Sequence, residues 1–501
     1  MRYQIRNQIL GIFPTIIDGI NYIRKTDTIN SHTVYQDILL ALQTIRETLE
    51  NSLSEDRLIF YKKQIVDLEE TLEIKTRENK ENKNTLKRLQ RFKELLKNLE
   101  KSLEEEEEAK LEVLFLPYKY SMWDSLESVW KAANDDPKCD CYVMPIPYYE
   151  RNNEGRLAEF HYEGRDFVSN GISIVSYKEY DVVKRKPDII YFHNPYDGEN
   201  LVTSVSPEFY SDNLKRYTDM LVYVPYFISG PYENAEQSAS YCLNSGVLNA
   251  KKVIVQSEIL KDVYIKNGVD GGKIVVLGSP KIDAVLKRDK DVILPLEWKE
   301  KIEGKKVVLL NNSIGNLLST TNYYMEDLKN NIETILDNEN IILIWRPHPL
   351  LEATIKSMRG ELHEKFIELK KTFINSKNGI LDESADGSRA FAVSDGMISD
   401  YSSLIQSYIM SGKPILIMGL SRKLKRKSLL SSDIFSCYFN EEINISSFLK
   451  MIIDNNDPEK GQRINDFEKS IVNTDGSCGL KVHTHIVDQM KGVLNFNLEN
   501  K

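Results

Sequence analysis

The stretch Ser394-Asp-Gly-Met-Ile-Ser-Asp-Tyr-Ser-Ser403 constrains the fold most, taken together with Ile341-Ile-Leu-Ile-Trp-Arg-Pro-His-Pro349 about fifty residues upstream. Each is a short apolar run that ends abruptly in charged, imidazole or hydroxyl groups. The run Ile341–Trp345 suits a parallel strand buried on both faces. Pro347 and Pro349 forbid extending that strand or starting a helix at once, so Arg346 and His348 are predicted to stand at its carboxyl end, where open α/β sheets bind ligands. Met397 and Ile398 predict a second strand, and Leu404, Ile405, Tyr408 and Ile409 step as an amphipathic helix opened by Ser402. Asp400, Ser402 and Ser403 can each cap that helix. The same hydroxyls, with the unpaired N–H groups of a helix start, also make a seat for phosphate. Taken singly, these are a capped turn and a strand-end histidine. On one sheet edge, a cation, an imidazole and a hydroxyl-rich helix start suit a diphosphate.

Around these motifs the hydrophobic period alternates. Leu111–Leu116, Cys141–Ile146, Asp188–His193, Met220–Phe227, Lys252–Gln256 and Ile274–Leu277 read as strands, with helical patterns between them at Met122–Ala133, Ala235–Leu243 and Glu258–Lys266. Glu150–Gly171 reads as a hairpin insertion. After a charged linker, Lys287–Lys305, a second run of strands follows at Val307–Leu310, Ile341–Trp345, Gly379–Leu381, Gly396–Ile398 and Pro414–Met418. Closing helices are predicted at Ile443–Ile453 and Gly479–Val493, the last crossing back to the first unit. The predicted fold is therefore α/β, with two doubly wound, Rossmann-like domains at 109–286 and 300–496. No Gly-x-Gly-x-x-Gly follows the first strand, which disfavours a nicotinamide dinucleotide site.

Residues 1–108 differ, holding Pro only at 14 and Gly only at 11 and 19, a helical composition. Leu58, Tyr61, Ile65, Leu68 and Leu72 step by three and four, and the seam resumes at Leu86, Leu89, Leu96, Leu99 and Leu103 across a polar centre at Lys75, Asn79 and Asn82. The pattern predicts a helical hairpin or a coiled coil, its seam used for self-association into a homo-oligomer or for packing on the earlier helix. Glu104–Glu108 reads as a solvated stretch before the next domain.

A net charge of −9 gives no reason to bind nucleic acid. The five cysteines lack metal-ligand spacing, Cys139-x-Cys141 being too close for the usual zinc hook, and point to a reducing, cytoplasmic compartment. His483 and His485 face different sides of their predicted helix and make a poor metal pair, and no Asp-x-Asp is present; no metal ligands and no cofactor are assigned, and metal dependence is left open. The apolar stretch Ile9–Ile20 contains Pro14 and Asp18 and lacks a cleavage site; no run is long enough to span a bilayer. Membrane contact, if made, is expected to be peripheral, at the inner face of the cell membrane. The basic cluster Ser421-Arg-Lys-Leu-Lys-Arg-Lys427 is either a solvated face or a contact for an anionic membrane surface or polyphosphate acceptor.

At its motifs the chain resembles the CDP-glycerol glycerophosphotransferase family of teichoic-acid polymerases and primases. The family's Arg-x-His-Pro stands here as Arg346-Pro-His-Pro349 and its Ser-Asp-x-x-Ile-(Ser/Thr)-Asp-Tyr-Ser-Ser as Ser394–Ser403; its Gly-x-Pro-(Arg/Lys)-x-Asp is Gly278-Ser-Pro-Lys-Ile-Asp283. The resemblance implies the GT-B fold, with the ligand in the cleft between two Rossmann-like domains. It implies transfer of a polyol phosphate, most simply glycerol phosphate, from a CDP-activated donor to a hydroxyl of a polymer or lipid-linked acceptor, releasing CMP. Arg346, His348, Ser402 and Ser403 are then assigned to the donor phosphates, with His348 catalytic, and Asp400 to orienting the loop or the donor's hydroxyls. Ser279, in the third motif, is a further expected substrate contact; Asn312, in the polar loop Asn311-Asn-Ser-Ile-Gly315 after the first strand of the second unit, is expected either to line the diphosphate or to belong to an ordinary turn.

The chain departs from the family in the first domain. The family's Trp-His-Gly segment, whose His is thought to serve catalysis, corresponds to Val222-Tyr-Val-Pro-Tyr-Phe-Ile-Ser-Gly230, which has no His. His193 is the substitute expected to face the cleft as acceptor base, unless it merely caps its strand or holds the loop, and Asp197 and Tyr226 are the alternative cleft groups. Two rival readings remain: a sugar-nucleotide glycosyltransferase or epimerase of the same fold, and a non-enzymatic helical scaffold with a degenerate transferase domain.

Overall fold

The computed structural model describes residues 1–25, 28–72, 83–152, 154–200, 203–229, 235–290, 292–314, 317, 324–348, 351–384, 387–400, 402–419 and 436–499. The basic cluster Ser421–Lys427 and the positions Lys75, Asn79, Asn82, Gly230, Gly315, Pro349 and Tyr401 lie outside the described residues.

Strands β1 (Leu111–Leu116), β2 (Cys139–Val143), β5 (Ile189–Phe192), β7 (Met220–Tyr223), β8 (Lys252–Val255) and β9 (Ile274–Val276) form one parallel sheet in the order β2-β1-β5-β7-β8-β9. The hairpin β3 (Tyr148–Arg151) and β4 (Leu157–His161) pairs with β6 (Thr203–Val205) in a small antiparallel sheet, so the insertion read at Glu150–Gly171 starts slightly earlier. A second parallel sheet holds β10 (Lys306–Asn312), β11 (Ile341–Pro347), β12 (Gly379–Leu381), β13 (Gly396–Asp400), β14 (Ile415–Met418) and β15 (Tyr438–Phe439), in the order β12-β11-β10-β13-β14-β15. Every residue of β1, β5, β7, β11 and β13 is buried, because helices cover both faces of each sheet. The two α/β units are thus doubly wound, as predicted. In the second sheet the order reverses between β10 and β13, and in the first between β1 and β5. At such a reversal successive connections run to opposite faces, leaving a crevice at the carboxyl ends of the strands.

The span read as a charged linker carries two helices, Pro280–Lys290 and Leu296–Ile302, the first running straight out of the third motif. That motif is a joint. Gly278 has φ +96°, and a Cβ there would lie 2.3 Å from Val472 O, so only glycine lets the returning chain pass. Asn473 Nδ2 donates to Leu277 O (3.0 Å), and Val472 N to Gln256 O (2.9 Å). Asp283 accepts from the backbone N–H groups of Cys478 (3.2 Å) and Gly479 (2.7 Å), the start of the last helix, Cys478–Glu499. This helix packs on Glu127–Asn134 of the first unit, as expected of a closing helix.

Five helices precede the first sheet: α1 (Tyr3–Leu10), α2 (Phe13–Lys25), α3 (Thr28–Glu50), α4 (Glu55–Leu72) and α5 (Lys83–Glu104). They enclose a core of their own in which Tyr61, Ile65, Leu68, Leu72, Leu89, Leu96, Leu99 and Leu103 meet Ile16, Ile20, Leu42 and Ile45. The seam is used within the chain, which leaves the expected self-association without it. Glu106, read as part of a solvated stretch, is buried: Arg57 grips its carboxylate at 2.7 and 3.2 Å, Tyr61 OH donates to it (2.6 Å), and the Glu108 N–H donates as well (2.9 Å). Burial opposes the charged form, but these donors outweigh it and hold the carboxyl below its usual pKa. The chain start is tied to the first unit by a parallel bridge between Arg2 and Lys110 and by the ion pair of Arg2 with buried Glu112 (3.2 Å). Among the described residues no helix is long and apolar enough to cross a membrane.

His193 follows β5 at the crevice of the first sheet and is wholly buried. Its Nε2 accepts from Tyr118 N–H (3.2 Å), so Nδ1 carries the proton and meets Ser125 Oγ (3.0 Å), whose hydroxyl donates to Met122 O (2.8 Å). Burial pulls its pKa down to about 3.

Two outcomes are expected. Glu106→Ala should destabilise the helical bundle by about 2–3 kcal/mol, less than the ~3–5 kcal/mol of a fully buried pair because Arg57 reaches solvent; unchanged chemical denaturation would refute this account of the turn. Because His193 binds its proton more weakly folded than unfolded, stability should fall with pH from about 6.5 downward, by about 2 kcal/mol at pH 5. His193→Gln should lower the melting temperature at neutral pH yet flatten that slope. An equally steep slope in the variant would mean that the histidine is not held neutral.

Candidate functional site

The crevice of the second sheet is lined by the loops that leave β10 and β13, and their side chains lock across it. Asn311 Nδ2 donates to Ser399 Oγ (2.9 Å) and Ser402 Oγ (3.2 Å), and the buried carboxylate of Asp400 accepts from the backbone N–H of Ser313 (2.9 Å). Ser402 holds extended backbone at the N-cap of the helix Ser403–Tyr408, yet its hydroxyl makes no capping hydrogen bond. At six residues that helix is too short to contribute much dipole, so the polar character of the loop rests on hydroxyl and amide groups. Ser403 begins this helix. Asp400 and Asn312 also line, with Tyr324 at the start of the helix Tyr324–Leu336, a cavity of about 320 Å³, and the Tyr324 hydroxyl is buried without a partner among the described residues.

One strand over, β11 carries Arg346 and leads to His348. Trp345 is wholly buried, and its indole N–H donates to Asn312 Oδ1 (2.9 Å); the backbone N–H of His348 donates to Asn312 O (3.0 Å). Asn312 therefore anchors the turn that presents His348, a more structural task than the substrate contact expected of it. Arg346 is buried, pairing with Asp382 (2.7 Å) and reaching Ser384 Oγ (3.3 Å). His348 is exposed, and what burial its ring has lowers its pKa, so the imidazole is neutral near pH 7. The structure thus brings Arg346, His348, Asn312, Asp400 and Ser402 to one edge of one sheet.

Arg346 also lines a cavity of about 940 Å³ between the two α/β units. Its second-unit wall includes Ser388 and Ser407; its first-unit wall includes Asp124, Glu127, Glu163 and Lys281. Lys281, from the third motif, holds Asp124 in an ion pair at 2.7 Å. Sequence reasoning missed both residues. Lys281 had a signal, its place between Pro280 and Asp283, whereas Asp124 sits in a short 3₁₀ turn, Tyr120–Ser125, with no motif around it. Ser279, expected on the substrate, is buried with its hydroxyl unpartnered among the described residues.

The groups expected to act as acceptor base stand differently from the prediction. His193 does not face the cleft: it is sealed in the core with both ring nitrogens engaged, because the crevice of the first sheet is closed by its own bonds to Tyr118 and Ser125. Asp197 is buried too, in left-handed backbone (φ 46°), its carboxylate taking the Ser211 N–H and hydroxyl (2.6 Å). Tyr226 is half-buried near the His193 ring, and burial raises its phenol far above the ordinary value, which makes it a poor base.

A family model for CDP-glycerol:poly(glycerophosphate) glycerophosphotransferases matches residues 231–482, half of the chain, a span that takes in all three motifs. No curated protein matches. Among solved structures, a protein described as a UDP-N-acetylglucosamine 2-epimerase from Listeria monocytogenes superposes with a TM-score of 0.52 at 14% identity, over 77% of this chain and 98% of its own. The wall teichoic acid polymerase TagF superposes at 0.48 with 13% identity, over 87% of this chain and 99% of its own. The epimerase likeness establishes the two-unit fold of the GT-B type. With its three motifs gathered around one cleft and one crevice, the chain belongs to the CDP-glycerol:poly(glycerophosphate) glycerophosphotransferase family.

Proposed function

We propose that the protein transfers a polyol phosphate, most simply glycerol phosphate, from a CDP-activated donor to a hydroxyl of a cell-surface polymer such as teichoic acid. The observation that carries this reading is that Arg346, His348, Ser402 and Asp400 stand at the carboxyl edge of the second sheet, in the motifs of this family. The acceptor oxygen attacks the phosphorus that bears the polyol. The bond from that phosphorus to the bridging oxygen breaks, and CMP leaves with that oxygen. Charge builds on the departing phosphate, and fixed cations and N–H donors stabilise it. Arg346 fits this task because Asp382 and Ser384 hold its guanidinium at the cleft wall. Neutral His348 offers a ring N–H to a phosphate oxygen, Ser402 adds its hydroxyl, and Ser403 stands beside it in the motif. Asp400 holds the loop and faces the donor's hydroxyls.

The acceptor's proton needs a base on the opposite wall. With His193 sealed away, we assign that role to Asp124, kept in place by Lys281. The acceptor is a polymer or lipid-linked chain, approached by peripheral contact with the inner face of the membrane, and self-association would use surfaces other than the buried seam.

Incubating the purified protein with CDP-glycerol, CDP-ribitol and UDP-sugars tests this reading. CMP release from a CDP-polyol is expected; UDP release alone would favour the sugar-nucleotide enzyme, and no nucleotide binding at all would favour the scaffold. His348→Ala should cut turnover by about 10²-fold or more while leaving the melting temperature within a degree or two, since the ring is exposed. Near-normal turnover would remove His348 from the site. Ser402→Ala should weaken donor binding by about 1.5–3 kcal/mol, the usual worth of a hydrogen bond to a charged group; equal affinity by calorimetry would refute the contact. Asp124→Asn should lower turnover far more than donor affinity, and a variant with intact turnover would leave the base elsewhere.

A further inference from the structure

We propose that Asp136, Cys139 and His483 form a divalent-metal site of the zinc class that fastens the last helix to the first α/β unit. The three come from separate segments: the turn after the helix Glu127–Asn134, the first residue of β2, and the second turn of the helix Cys478–Glu499. Their donor atoms all lie within 4.8 Å of one another. His483 Nε2 stands 3.0 Å from Asp136 Oδ2, and Cys139 Sγ stands 3.8 Å from the same oxygen. Tetrahedral zinc, with bonds of about 2.0 Å to N and O and about 2.3 Å to S, sets its ligand atoms about 3.3–3.6 Å apart. The two separations from Asp136 Oδ2 lie within about 0.3 Å of that spacing, and His483 and Cys139 stand within 4.8 Å of each other, so a small rotation of either side chain closes the set.

Chemistry and burial agree with the spacing. A thiolate, a carboxylate and a neutral imidazole cancel a 2+ charge, so the filled site is neutral where it is most buried. Cys139 and the His483 side chain are about 95% covered, while Asp136 is 25% exposed and leaves one side for water as a fourth ligand. The carboxylate is set in place beforehand: Asp136 Oδ1 accepts from Lys138 N–H (2.9 Å), and the Cys139 N–H donates to Asp136 O (3.0 Å) across Pro137. His483 Nδ1 is buried without a partner among the described residues, so the ring is aimed only by what its Nε2 meets. Zinc binds the thiolate, so loading releases the Cys139 proton to solvent. The site lies on the helix that Asp283 starts, where that helix packs on the first unit, and its three residues are not among those that line the cleft.

The test uses the full chain, stripped with chelator, dialysed and titrated with Co²⁺ and then Zn²⁺. One equivalent of Co²⁺ should bind with a near-ultraviolet sulfur-to-cobalt charge-transfer band, and Zn²⁺ should displace it and raise the melting temperature. Cys139→Ser should abolish the band; Asp136→Asn, which keeps the side-chain shape, should weaken Co²⁺ binding at least tenfold; Cys141→Ser should change neither. A folded wild-type protein with no band and no zinc-dependent melting shift would overturn the proposal, leaving a plain His483–Asp136 hydrogen bond. A band lost in Cys141→Ser but kept in Cys139→Ser would overturn it too.

Discussion

The functional reading depends on a reversal of strand order. Because β10 sits between β11 on one side and β13 on the other, the loops leaving β10 and β13 turn to opposite faces and cannot fill the gap between them. The chain spans that gap with polar side chains instead: Asn311 reaches Ser399 and Ser402, and Asp400 takes the Ser313 N–H. These bonds are made in a buried place where an unpaired group is costly, so they fix the loop before any ligand arrives. The same reversal in the first sheet is closed by His193, bonded to Tyr118 and Ser125. One crevice is left polar and accessible; the other is plugged. That difference supports the proposed placing of the donor on the second unit, with the first contributing groups from its loops, such as Asp124.

The third motif has a mechanical meaning that its spacing conceals. Gly278 allows the returning backbone to pass at Val472, Pro280 opens a helix that packs against both units, Lys281 turns to Asp124 in the cleft, and Asp283 caps the last helix. Four functions in six residues tie the geometry of the cleft to the path by which the chain comes home. A substitution at Gly278 would therefore disturb both units at once.

Strand positions and the crevice residues were legible in the sequence because their causes are local. An apolar run ended by Arg-Pro-His-Pro leaves the backbone few choices. What escaped was long-range. The seam of α4 and α5 reads the same whether its partner is a second copy or α2 and α3, and only the fold shows the latter. The Glu104–Glu108 run looks solvated by composition, yet Arg57, 49 residues earlier, buries one member of it. His193 ends a strand as a cleft residue would, but its burial depends on Tyr118 and Ser125, some 70 residues before it. The Asp136–Cys139–His483 cluster spans 347 residues and has no spacing to notice.

Amide hydrogen exchange on the full chain, with and without a saturating CDP-polyol or CMP, tests the central claim most directly. The account predicts that protection gained on binding concentrates in 311–313, 346–348 and 402–405, with a weaker effect along 281–285 on the facing wall. Protection confined to the crevice of the first sheet, around 118–125 and 193–197, with none in the second, would contradict it.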